Sequence, residues 1–164
     1  MIIMGIDPGS KSTGFGLIGV EGNRLQLIDF GAVKTKTTDT LPLRLKTIYD
    51  GISSIIIAHN PDFIAIENVF YSDNVKTALV IGHARGVAML AGMNRQIPVA
   101  EYSPREVKQS VVGNGAAAKE QVGFMVKKIL GLNGIPRPVD AADALGIAIC
   151  HFNRTKTEQK LGQL

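Results

Sequence analysis

The chain opens with Ile2-Ile3-Met4-Gly5-Ile6-Asp7-Pro8-Gly9-Ser10, an apolar run that stops at an acid and a tight turn. An uncharged run bounded by Pro and Gly reads as a buried strand. Asp7 therefore stands at a strand end. The same grammar returns in Phe63-Ile64-Ala65-Ile66-Glu67 after Asn60-Pro61-Asp62. This run is apolar on both faces, as a strand covered from two sides must be, and it too ends in an acid.

Working outward, residues 14–20 and 24–33 are apolar runs joined through Gly22-Asn23, a pair that favours a hairpin. Leu41, Leu45, Ile48, Ile52, Ile55 and Ile56 recur at spacings of three and four, with Asp39 or Thr40 as cap and Pro42 near the start. That spacing predicts an amphipathic helix. A long helix is expected over 73–93, with Val75, Leu79, Gly82 or His83, Gly86 and Leu90 along one stripe. Glycine weakens a helix, so close packing is the reason to place it there, either within the chain or against a second copy.

Residues 97–102 read as a fifth strand, and Ser103-Pro104-Arg105-Glu106 supplies a capping box with proline at the first helical position. After Gly113-Asn114-Gly115 a further helix is expected from near Ala116, turning Val122, Val126, Ile129 and Leu130 inward. Residues 133–138 read as a loop. The last helix is expected over 139–152, and the polar residues 153–164 as a frayed or disordered tail. A meander followed by alternating helices and strands gives an α/β domain, 1–152, with a mixed five-stranded sheet flanked by helices.

At 164 residues and 45% apolar content, the chain is long enough to bury a substantial core in one domain. It has no apolar run of the ~20 residues that a spanning helix requires, and no basic region followed by an apolar one at its start. A cytoplasmic address is expected. The lone Cys150 excludes an intrachain disulfide and a Cys-based zinc cluster, and its apolar neighbours suggest a buried thiol. The formal charge is +4, which favours a polyanionic partner.

On the last helix Asp140 and Asp143 are three apart, so they share a face about one turn from each other. Carboxylates inside so apolar a helix are expensive to bury unless a cation neutralises them. Singly, each acid has an ordinary reading: Asp7 caps a turn, Glu67 ends a strand, Asp140 caps a helix. Together, two strand-end acids and two acids on one helical face can meet in one cleft. Setting these four aside from the fourteen acidic residues leaves eighteen Lys and Arg against ten acids, a balance suited to nucleic acid. Hard oxygen donors point to Mg²⁺ or Mn²⁺ rather than zinc, and paired ions of that kind hydrolyse phosphodiesters. His59, His83 and His151 lack the short mutual spacing of a histidine metal motif.

At these residues the chain resembles the RuvC family of Holliday-junction resolvases. Four motifs carry the likeness: G-I-D-P-G-S at 5–10, I-E-N-V-F at 66–70, V-K-Q-S-V-V-G-N-G-A-A-A-K at 107–119 and V-D-A-A-D-A-L at 139–145. The resemblance implies a ribonuclease H-like fold. It also implies a homodimer that resolves four-way DNA junctions by paired nicks in recombination, DNA repair and the SOS response, with two Mg²⁺ ions per site. By motif position Asp7, Glu67, Asp140 and Asp143 would hold the metal. Some members carry His at the last position, where this chain has Asp143.

Similarity also places Lys108 and Lys119 near the scissile phosphates, as point charges opposing developing negative charge. Phe70, followed by Tyr71, resembles an aromatic that stacks on an opened base, worth ~1–3 kcal/mol per base. Lys76 and Arg105 are candidates for phosphate contacts, with solvated helical surface as an equally good account. The RuvA and RuvB branch-migration complex is the implied partner.

Two other classes remain to be weighed. An actin- or sugar-kinase-like ATPase shares Asp7-Pro8-Gly9, but needs two such domains and a second phosphate loop, which 164 residues cannot supply. A non-catalytic junction binder would keep the lysines and Phe70, yet be expected to lose a carboxylate. None is missing.

Overall fold

The computed structural model describes residues 1–68 and 74–162. Its strands are β1 (Ile2–Asp7), β2 (Ser12–Glu21), β3 (Arg24–Lys34), β4 (Phe63–Glu67) and β5 (Val99–Tyr102). Its helices are α1 (Leu41–His59), α2 (Val75–Met93), α3 (Pro104–Val112), α4 (Lys119–Ile129) and α5 (Val139–Leu161). The strands form one five-stranded sheet in the order β3-β2-β1-β4-β5. The β1–β2 and β2–β3 pairs are antiparallel, whereas β1–β4 and β4–β5 are parallel. This is the mixed sheet that the sequence predicts.

Because successive strand residues point to opposite faces, the centre of the sheet feeds two cores. Ile3, Ile18 and Ala65 join Val107, Val122, Val126, Leu145 and Ala148 on the face covered by α3, α4 and α5. Met4, Ile6, Leu17, Ile64 and Ile66 join Ile48, Ile52, Ala84 and Ala88 on the face covered by α1 and α2. The helix starts follow their local chemistry. Ser103 accepts from the Glu106 N–H while the Glu106 carboxylate accepts from the Ser103 N–H, closing the expected capping box. Helix α4 begins at Lys119 rather than near Ala116, because Asn114 first caps a turn by accepting from the Ala116 N–H.

Two elements depart from the sequence reading. The apolar stripe of α2 points outward: Val75, Leu79, Leu90 and Met93 are exposed, and the buried residues are Ala84, Ala88, Ala91 and Gly92. Among the described residues nothing lies within 4 Å of a Cβ built on Gly82 or Gly86, so no close packing within the described chain explains them. A helix apolar on all sides does not select its own inward face, and here the small alanines allow close approach to the sheet.

Helix α5 also continues past Phe152 to Leu161. Its polar end is held by the Arg154–Glu158 pair at 2.9 Å, by Arg154–Glu106 at 3.5 Å, and by Asn153 donating to Ser110. Such i,i+4 pairs support a helix that has no apolar stripe.

Helix α5 comes into direct backbone contact with β1 and β2 at two glycines. A Cβ on Gly5 would come 1.9 Å from the Ala144 carbonyl oxygen, and one on Gly14 2.1 Å from that of Asp140. Gly5→Ala is therefore expected to destabilise the protein by about 3 kcal/mol or more. Gly19→Ala, which meets only Ile28 Cδ1 at 3.4 Å, should cost under about 1 kcal/mol. Urea unfolding of both variants tests the contrast, and equal costs would contradict it.

Candidate active site

Parallel pairing of β1 with β4 aligns Ile6 with Ile66, so the next residues, Asp7 and Glu67, leave the same edge of the sheet side by side. The turn after Asp7 is locked. Fully buried Thr13 donates through Oγ1 to the Gly9 carbonyl at 2.7 Å. The Ser10 carbonyl accepts from Thr35 Oγ1 at 2.6 Å and from Arg44 Nη2 at 2.6 Å.

The other two acids arrive on α5. The Gly14 contact seats Asp140 over β2, where Ser12 Oγ donates to Asp140 Oδ2 at 2.5 Å. Helix α4 packs on α5 where Val122 meets Gly146, with 3.2 Å between Val122 Cγ1 and a Cβ built there. One turn earlier on each helix, Lys119 Nζ reaches Asp143 Oδ2 at 2.9 Å. The structure thus brings Asp7, Glu67, Asp140 and Asp143 to one end of the sheet.

Their electrostatics are those of a site with too much negative charge. Burial, then the Glu67 and Asp143 carboxylates, push the Asp7 carboxyl up to about 8, with Asp140 adding and Lys119 opposing. Glu67 is raised by burial and by Asp143, against Lys119 and Lys108. Lys119 is raised in turn, first by its hydrogen bond to Asp143. This excess of buried negative charge suits a cationic partner.

Oxygen donors without thiolate or imidazole suit a hard divalent ion. Among the described residues no three acids or histidines are already gathered as a ligand set. Lys119 and Ser12 instead occupy oxygens of Asp143 and Asp140 that such an ion would take. The donor chemistry fits a metal.

The remaining candidates separate in space. Lys108 lines the cleft with Glu67, Lys119 and Asp143 around a cavity of about 120 Å³. Arg105, on the same helix, faces a larger groove of about 730 Å³ between α3 and the end of α5. Lys76 is exposed in the first turn of α2 and lines none of these cavities. Phe70 and Tyr71 lie outside the described residues.

His59 faces Asp29 at 3.1 Å, His83 contacts the Leu79 carbonyl, and His151 meets the Tyr102 hydroxyl at 2.7 Å. Among the described residues none of them touches the four acids. Cys150 is buried, and burial pushes its thiol up to about 11. Sequence reasoning missed Ser12 as the partner of Asp140. The available signal was a run of hydroxyl residues directly after an Asp-Pro-Gly turn, a place where side chains commonly close hydrogen bonds.

Comparison with known proteins agrees with this geometry. The family model described as "Crossover junction endodeoxyribonuclease RuvC" matches residues 3–151. A curated relative of that name from Alkaliphilus oremlandii is 53% identical over 151 residues, covering 92% of each chain. One from Syntrophotalea carbinolica is 55% identical over 151 residues, covering 92% of this chain and 93% of its own. The structure of Thermus thermophilus RuvC in complex with a Holliday junction substrate superposes with a TM-score of 0.91 at 34% identity, covering 96% of both chains. The yeast mitochondrial Holliday junction resolvase Ydc2, 16% identical with a TM-score of 0.65 over 92% of this chain and 78% of its own, shares the fold. Four acids at one sheet end, a family match across almost the whole chain and relatives above half identity lead to one conclusion: this chain belongs to the RuvC family of crossover junction endodeoxyribonucleases.

Proposed function

We propose that this chain resolves four-way DNA junctions by hydrolysing one phosphodiester per active site, with Mg²⁺ held by Asp7, Glu67, Asp140 and Asp143. The observation that carries the reading is the convergence of these carboxylates, with Asp7 pushed up to about 8 by burial and by its neighbours. Two ions per site would polarise the attacked phosphate and offset charge on the leaving oxygen. The rest falls to side chains of this chain. Asp7 and Glu67 project from rigid strand ends, which keeps their oxygens in place.

Lys119 now holds Asp143, and its ammonium is free to move to a phosphate once a metal replaces it. Lys108, beside Glu67 in the same cleft, adds a second point charge. Phe70 and Tyr71, following Glu67 in the sequence, are assigned to stacking on bases opened at the junction. The RuvA and RuvB complex is the partner that family membership suggests.

A resolvase must cut two strands, and a two-fold dimer places one site against each. Support for a homodimer comes from α2. Val75, Leu79, Gly82, Gly86, Leu90 and Met93 follow spacings of three and four, and the four large ones are 52–72% exposed. Apolar knobs alternating with glycine gaps suit a second helix of the same kind. Leu79→Asp with Leu90→Asp should convert dimer to monomer in analytical ultracentrifugation while the far-ultraviolet spectrum is retained. A dimer that persists would remove α2 from the interface.

Cleavage of a synthetic four-way junction with Mg²⁺ tests the main reading. Asp7→Asn should lower the rate by about a thousandfold, since a lost metal ligand forfeits several kcal/mol, while junction binding is kept. Binding without cutting by the parent would reject the nuclease.

Stability gives a readout independent of activity. The Asp7 carboxyl is raised in the folded state, so its contribution is fully present below the ordinary value of 3.8 and is lost as pH rises towards about 8. In chelator, Asp7→Asn should match the parent below about pH 4 and exceed it by more than about 1 kcal/mol at pH 8. Added Mg²⁺ should raise the parent's Tm and leave the variant's almost unchanged. A parent insensitive to Mg²⁺ would argue against the metal site.

A further inference from the structure

A second cavity, of about 260 Å³, adjoins the cleft that holds Glu67 and Lys108, and both are lined by Lys119 and Asp143. The two cavities share those residues as a common wall. A strand whose phosphate sits at the carboxylates therefore has its adjoining nucleotide within reach of the second cavity. This continuity rests on the nuclease reading above.

The lining of the second cavity specifies its occupant. Ile135, Pro136, Val139 and Ala142 give it an apolar surface. Ile135 and Val139 are 43% and 46% exposed, so their apolar surface is open to a ligand entering the cavity. Gly123 lets Ile135 lie close to α4, since a Cβ there would come 3.1 Å from Ile135 Cγ2. At the rim stand Arg137 and Glu120, both exposed and with no hydrogen bond or ion pair among the described residues.

At this opening Lys119 and Arg137 balance Glu120 and Asp143, so the pocket offers no net positive charge that would select a phosphate over a neutral ring. A neutral ring would meet an apolar surface, a free guanidinium donor and a free carboxylate acceptor.

We propose that this pocket seats a nucleobase adjoining the cut phosphate, and that Arg137 is a specificity-determining residue of the reaction. The guanidinium favours a base that offers two acceptors, guanine foremost through O6 and N7. Glu120 accepts from an exocyclic amino group. The apolar surface contributes contact area without discriminating among bases, which leaves the choice to the rim.

The test is cleavage of junction libraries in which each position flanking the cut is randomised in turn, comparing the parent with Arg137→Ala and Arg137→Lys. At one flanking position the parent should cut the guanine substrate about five- to a hundredfold faster than the poorest base. Arg137→Ala should bring that ratio close to one, and Arg137→Lys should restore it in part. Ratios at the other positions should stay as in the parent. A structural role for Arg137 would lower cutting of all substrates together and leave the ratios intact.

Unchanged ratios at every position in Arg137→Ala, or a parent with no base preference beside the cut, would overturn the pocket assignment while leaving the nuclease standing. A parent that cuts no junction would overturn both.

Discussion

The architecture depends on one contact, the seating of α5 on the backbone of β1 and β2. Gly5 and Gly14 present no side chain there, and the carbonyls of Ala144 and Asp140 occupy the space where a Cβ would stand. Side chains at these two points would hold the helix away from the sheet, and short Asp side chains on α5 would then fall away from the acids at the strand ends. Close seating removes that gap. The alanines at 141, 142 and 144, all buried, keep α5 narrow enough to lie so near. The fold and the site are therefore the same constraint seen at two scales.

Bringing four acids together has an electrostatic cost that the protein distributes. Burial and mutual repulsion hold a proton on Asp7 well above the usual carboxylate range. Lys119 answers Asp143, and Ser12 answers Asp140. Each contact offsets part of the local negative charge or satisfies one carboxylate oxygen. The surrounding turn is rigid, tied through Thr13, Thr35 and Arg44. Stability given up at the cluster is recovered in the two cores on either side of the sheet, as expected where function opposes folding.

The two sides of the sheet serve different ends. The α3, α4 and α5 side gathers Lys108, Lys119 and Asp143 around one cavity. On the other side, α2 turns small residues to the core and large apolar ones outward, an arrangement without internal benefit.

Much of this was legible in the chain itself, because the signals were local. Apolar runs ending at Asp7 and Glu67, the Ser103–Glu106 cap and the spacing of Asp140 and Asp143 act within a few residues of one another, where strand and helix periods apply. Tertiary structure decided whatever depends on a partner distant in sequence. It chose the outward face of α2, which is apolar on every side, and carried α5 to Leu161 through contacts with α3. It also sent Lys108 and Arg105, three residues apart, to different cavities. Ser12 and Asp140 are 128 residues apart, and no pattern along the chain encodes a hydrogen bond across that separation. Local sequence determines which side chains stand at the end of an element, and only packing of the elements decides which of those ends meet.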